Sequence, residues 1–337
     1  MHAGQRYSLK EFLLWTRRDT YGFVIASAIP TVLYKVLNLH WLALPWVPIA
    51  LVGTAAAFIV GFRNNATYAR LWEARQIYGA IVNASRTFGV MARDLVQPND
   101  TLTADDAQQA RTRLIHRHIA WLTALRFQLR QPRPWESMSQ PHNVEYRKGL
   151  FTVDELSSDL GTELAKLLSV DEQTRVMSLS NRATQVLALQ SEHIAQLFAL
   201  RAFEPNANVA LVQALSTLYE QQGKCERIKN FPYPRQFATI NQIFVRVFVW
   251  LVPFGMLGEL QKLGDDMVWL TVPLSVLVAW VFNGMERVGE VTENPFEGGP
   301  NDVPITSMSR SIEIDLREML GEANIPATIG ATNNILM

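Results

Sequence analysis

A single cysteine, Cys225, stands among 337 residues. That count excludes an internal disulfide and any cysteine-rich zinc site, and it suits a reducing, cytosol-facing setting. Charge of one sign is also missing, because 31 Lys and Arg balance 31 Asp and Glu. With no recurrent Lys/Arg stripe interleaved with aromatics, nucleic acid is not an expected partner. The opening MHAGQRYSLKEFLLWTRRDT has no apolar core followed by a small-residue cleavage site, so no cleaved signal peptide is expected.

Recognisable catalytic constellations are absent as well. Gly223-Lys224-Cys225 lacks the upstream glycine of a phosphate-binding loop and has Cys where Ser or Thr would meet magnesium. His116 and His118 are two apart, so on a helix they face different sides, and the ordinary reading is a solvated pair. Glu286, Glu290, Glu293 and Glu297 recur at spacings of four, three and four. Without a Glu-x-x-His partner they do not make a di-iron site. The first three form an acidic helical stripe that reads either as an exposed or intersubunit ion-pairing face or as an acidic vestibule or divalent-ion site. The expectation is a chain that is not an enzyme and carries no cofactor and no resident metal.

What is present is apolar sequence in blocks. Apolar residues are 48% of the chain, concentrated near residues 21–62 and 237–285, with Arg and Lys gathered at the start and between the blocks. This is the composition of an all-α membrane protein with a large soluble part. YGFVIASAIPTVLYKVL can form a first span, with Pro30 as a kink and Lys35 placed to snorkel. WLALPWVPIALVGTAAAFIVGF forms a second, of roughly the 20 residues that a bilayer core of ~30 Å requires. ATINQIFVRVFVWLVPFGML and MVWLTVPLSVLVAWVFNGM read as a third and fourth. In the third, Arg246 reads equally as a functional charge or as one snorkelling from the cytoplasmic end.

The expected organisation is an N-terminal helix over 1–20, two spans over 21–62, and a cytoplasmic helical domain over 63–235. Two further spans over 236–287 and a C-terminal segment over 288–337 with a mobile end complete it. The helical domain has breaks at QPND, RQPRPWE, SQPHN and FEPN. Arg6, Lys10, Arg17 and Arg18 precede the first span and an Arg-rich block follows the second, while the outer turns contain only Lys262. By the positive-inside rule both termini and the helical block lie in the cytoplasm of a multi-pass protein of the plasma (inner) membrane.

LVGTAAAFIVGFRNN, residues 51–65, carries the sharpest pattern. Thr54, Phe58 and Phe62 are spaced four apart and share one slowly drifting helical stripe, with the small Gly53, Ala57 and Gly61 beside it. The first stripe reads as core packing or as the lining of a passage, and the second admits a close neighbouring helix. No turn residue follows Arg63-Asn64-Asn65, so the helix continues out of the apolar block into the soluble one.

Three segments then identify a likeness: GFRNNATYARLWEARQIYGAIVNASRT after the second span, CERIKNFPYP before the third, and ENPFEGGPNDVPI after the fourth. In this order around four spans, the sequence resembles the bestrophin family of ion channels, in its bacterial branch, over nearly the whole chain. The resemblance implies a homopentamer in a lipid bilayer around one central pore. It places three rings of an apolar neck at Thr54, Phe58 and Phe62, with the hydroxyl of Thr54 as a departure that eases wetting. It also places a cytoplasmic aperture near Asn206, where an apolar residue is usual and where Asn206 reads alternatively as a helix cap after Pro205.

Animal members bind calcium through an acidic cluster after NPF. Here the stretch offers Glu297 and Asp302 without a run of aspartates, too few oxygen ligands for animal-type calcium activation. Aromatic edges turned into a pore favour anions and aromatic faces favour cations. Phe58 and Phe62 as edges point to chloride and other small anions; the acidic stripe from Glu286 points to a cation-selective channel of the same family. A membrane-anchored signalling protein is the remote alternative, and a coupled transporter is disfavoured by the absence of paired, broken mid-membrane helices.

Overall fold

A computed structural model describes all residues 1–337 as helices and connecting loops, with no strands beyond three isolated bridges. The chain runs through α1 (Leu9–Val36), α2 (Trp46–Leu95), α3 (Ala104–Arg130), α4 (Pro141–Leu150), α5 (Asp154–Ser157), α6 (Leu160–Leu164), α7 (Val170–Met177) and α8 (Arg182–Ala199). It continues through α9 (Pro205–Asn230), α10 (Arg235–Gln261), α11 (Thr271–Thr292) and α12 (Ile305–Leu320), with short 3-10 turns at His40–Leu42 and Asp265–Leu270. Local chemistry sets many of the boundaries. Ser8 and Glu11 close a capping box on α1, as Ser169 and Glu172 do on α7, and Thr103 caps α3. Proline opens α4 and α9, and Gly321 ends α12 in the left-handed conformation at φ 73°.

The longest element, α2, is one helix of 50 residues, about 75 Å at 1.5 Å per residue. Its only proline, Pro48, sits in the first turn, where a missing N–H costs nothing. The continuation expected beyond Arg63 is therefore seen, and this helix belongs to both parts of the molecule. At one end α1, α2, α10 and α11 run alternately up and down. Leu44 N–H reaches Phe254 O at 3.0 Å and Lys35 pairs with Asp265 at one end of this layer, while Trp280 Nε1 donates to Thr16 at 3.0 Å nearer the other.

Three helical stretches, within His40–Leu95, Arg235–Gln261 and Asp265–Thr292, are long and apolar enough to cross a membrane. The first expected span, in α1, falls short of that measure. Its polar flank, with Pro30 and Lys35 inside, dilutes the apolar run of α1, which lies antiparallel along α11. Pro30 is buried within the continuous helix. Arg246 is exposed and has no ion-pair partner, which fits snorkelling rather than a buried functional charge.

At the other end the second half of α2 packs against α3, α9 and α12, with α8 laid on α3 and α9, around a core of 43 buried apolar residues. Trp121 is fully buried there and its indole N–H donates to Gln222 Oε1 at 2.8 Å. The C-terminal end, expected to be mobile, is packed instead. Ile335 and Met337 are buried against Phe151 and Val153, and the 334–337 backbone bonds to Met1, Ala3 and Ser307.

Candidate functional site

The first half of α2 gives one narrow face to its own chain and leaves the rest open. Ile49, Gly53, Ala56 and Val60 are buried against α10 and α11, whereas Thr54, Phe58 and Phe62 are exposed. Phe58 retains 65% of its surface and Phe62 71%. The three positions span about 12 Å along the axis and turn by about 40° per step. They border an open groove of about 690 Å³. Trp46 lies at one end and Asn65 at the other, while Phe248 and Phe282, with ring centres 4.6 Å apart, help to line it. No charged side chain lines this groove.

The small-residue stripe behaves unevenly. A Cβ on Gly53 would lie 2.4 Å from the Phe248 ring, so only glycine admits that contact. Ala57 and Gly61 are exposed, and a Cβ on Gly61 would meet nothing within 4 Å. Within one chain, then, the close packing expected of all three is made by Gly53 alone, and Ala56 and Val60 complete the packed face. The hydroxyl of Thr54 donates to Ala50 O at 2.9 Å, so the groove receives its methyl group and acceptor lone pairs.

The expected acidic stripe is not an exposed face. Glu286 is 6% exposed and Glu293 2%, and both accept from Arg63, at 2.7 and 3.0 Å. Glu293 also pairs with Arg235. These two carboxylates do not form a solvated face, because Arg63 and Arg235 of the same chain pair with them. Of the three only Glu290 has no ion pair, and all three border a polar cavity of about 440 Å³ shared with Arg63, Arg235 and Gln242. Arg63 was invisible to sequence reasoning except as the end of an apolar run. Its signal was an arginine directly after a run carrying Phe62, facing a helix with glutamates seven apart.

Asn206 is exposed in the first turn of α9, where Glu204 is the N-cap residue and makes no side-chain cap bond. It is therefore not the cap. Nearby Ala202 O accepts from Gln97 N at 2.9 Å, just past the end of α2. That places Asn206 about 50 Å along the helix from Phe62. The structure does not bring the two together.

The histidine pair also departs from expectation. His118 is 1% exposed, stacked on Phe88 and tilted on Trp121, with both ring nitrogens unpartnered, and burial pushes its pKa down to about 3. His116 faces elsewhere and meets Glu322 at 2.6 Å.

The stretch after α11 is a buried staple. Glu297 accepts from the N–H and hydroxyl of Ser137 at 2.8 and 2.7 Å. Asp302 accepts from Arg130 at 3.1 Å and Gly298 N–H at 2.7 Å. Burial raises both carboxyl pKa values above the ordinary range. Both Glu297 oxygens and Asp302 Oδ2 are taken by donors of the chain, while Asp302 Oδ1 is buried without one.

The chain matches the family model described as Bacterial/Fungal Bestrophin protein over residues 19–318. A voltage-dependent anion channel-forming protein of Ralstonia nicotianae is 30% identical over 293 residues, covering 86% of this chain and 83% of the relative. One of Escherichia coli K12, YneE, is 28% identical, covering 84% and 79%. Among solved structures, a bacterial bestrophin homologue from Klebsiella pneumoniae superposes with a TM-score of 0.74 at 26% identity, covering 90% of this chain and 98% of that one. By sequence and by fold, the chain belongs to the bacterial and fungal bestrophin family.

Proposed function

We propose that this protein is a passive ion channel that favours chloride and other small anions, built as a homopentamer around rings of Thr54, Phe58 and Phe62. The observation that carries this reading is the exposed, uncharged face of α2, where two phenylalanines stand open although the same helix is buried further along. A fivefold arrangement would turn that face into a neck, and Ala57 and Gly61 are small enough for a neighbouring copy to approach closely. Relatives over most of the chain are named as anion channel-forming proteins. The cation reading rested on a free acidic stripe, and Arg63 and Arg235 neutralise Glu286 and Glu293. Asn206 stands as the candidate lower aperture.

The proposed setting is a bacterial inner membrane crossed by α1, the first part of α2, α10 and α11. The exposed apolar band of Phe237, Ile240, Ile243, Val247 and Trp250 on α10 supports it. The pairing of the two chain ends supports their lying on one side, in the cytoplasm with the arginine-rich block. The test is the reversal potential of purified protein in a planar bilayer under a steep KCl gradient, then with gluconate in place of chloride. Reversal near the chloride equilibrium value is expected; reversal near the potassium value overturns the anion reading.

A further inference from the structure

Resting on the neck reading above, we propose that Arg63 is the positioning residue that fixes the rotation of the neck helix. Adjacent residues on a helix point about 100° apart, so an anchor on Arg63 determines where Phe62 faces. The anchor uses both terminal nitrogens of the guanidinium, while Nε is buried without a partner. One guanidinium, 5% exposed, holds Glu286 through Nη1 at 2.7 Å and Glu293 through Nη2 at 3.0 Å, spanning two turns of α11. Arg235, at the start of α10, takes the other oxygen of Glu293, so three helices meet in one ionic knot.

Neighbouring contacts repeat the registration. Asn64 Nδ2 donates to Met285 O at 3.0 Å, and the hydroxyls of Thr67 and Thr292 lie 2.9 Å apart. A Cβ on Gly289 would come within 2.3 Å of Asn64 Oδ1, so α2 and α11 approach closely here. Buried ion pairs contribute little net stability, yet removing one partner strands a charge, which makes them suited to selecting one arrangement among several. The arrangement selected is the one that turns Phe58 and Phe62 away from the chain's own core.

The test reads rotation directly. Phe62→Cys and Gly61→Cys are modified by a charged thiol reagent while current is recorded; the native Cys225 is buried and does not interfere. The ratio of modification rates at the two positions is compared in the native background, in Arg63→Met and in the nearly isosteric Glu286→Gln. Glu290→Gln, which removes a carboxylate without an ion pair, is the control. The expected result is a shift of that ratio toward position 61 by about fivefold or more in both lock variants and none in the control.

General loss of folding would lower current without moving the ratio, and Glu286→Gln decides should Arg63→Met not assemble. Modification at Phe62→Cys with an unchanged ratio in the lock variants overturns the positioning role and leaves the neck standing. If Phe62→Cys in the native background is modified without changing current, the neck reading itself fails.

Discussion

The two halves of α2 share one backbone and almost nothing else. From Trp46 to Phe62 the helix buries a single stripe ending in Gly53, Ala56 and Val60, and leaves Val47, Leu51, Phe58 and Phe62 exposed. From Leu71 to Ala92 it buries Ala74, Ile77, Tyr78, Ile81 and Phe88, each at most 5% exposed, inside the main core. Both halves are rich in apolar residues, so hydrophobicity does not separate them. What differs is who supplies the neighbour: in the lower half the chain covers itself, while in the upper half it leaves apolar surface uncovered.

The sharpest way to break this comparison is to truncate one aromatic in each half. Phe88→Ala should cost about 3–5 kcal/mol of stability, since a fully buried ring is lost to a cavity. Phe58→Ala should change the stability of the chain by no more than about 0.5 kcal/mol while altering conductance or permeability ratios. Thermal unfolding in detergent and bilayer recording together read both; a large stability loss at Phe58 would mean that its ring is packed rather than open.

A second effect belongs to the lower half alone. His118 has a folded pKa near 3, below the value of 6.5 for an unperturbed histidine, so the unfolded chain takes up the proton first as pH falls. Stability should decline below pH 6.5, by about 1.4 kcal/mol per unit, and keep declining to about pH 3. Between pH 6.5 and 5 the native protein should lose about 2 kcal/mol more than His118→Phe does. His193, whose pKa is lowered to about 4 first by burial and then by Arg117, adds a similar slope to both proteins and cancels in the difference. Equal slopes in the two proteins would place His118 in contact with water.

Glycines sharpen the comparison within the upper half. Gly53→Ala should cost about 1 kcal/mol or more, because the new methyl meets the Phe248 ring. Gly61→Ala should leave the single chain unaffected, so any loss it causes would report packing between copies. The smallest effect is expected from Thr54→Val, which keeps the shape and removes the hydroxyl bonded to Ala50. Stability should move by less than about 0.5 kcal/mol, with conductance lowered by less than Phe58→Ala changes it.

Helical class and the unbroken passage of α2 were legible because periodicity, capping residues and proline breaks are local signals. Thr54, Phe58 and Phe62 could be picked out by spacing, although only coordinates reveal that they are exposed. The acidic residues misled, since a stripe of carboxylates reads the same whether water or Arg63 faces it, and Arg63 is more than 200 positions away in sequence. His118 misled for the same reason: nothing near it in the chain announces that Phe88 and Trp121 enclose it. Partners distant in sequence decide the fate of polar groups, and one sequence does not name them.

An uninterrupted α2 also limits how the molecule can move. With no proline beyond Pro48 and no break before Leu95, the helix has no hinge at which to fold. It is a lever: a disturbance where α12 and α3 grip its far end is delivered to Phe62 as a tilt or a twist of the whole rod, and the ionic knot at Arg63 sits where such a lever would have its fulcrum.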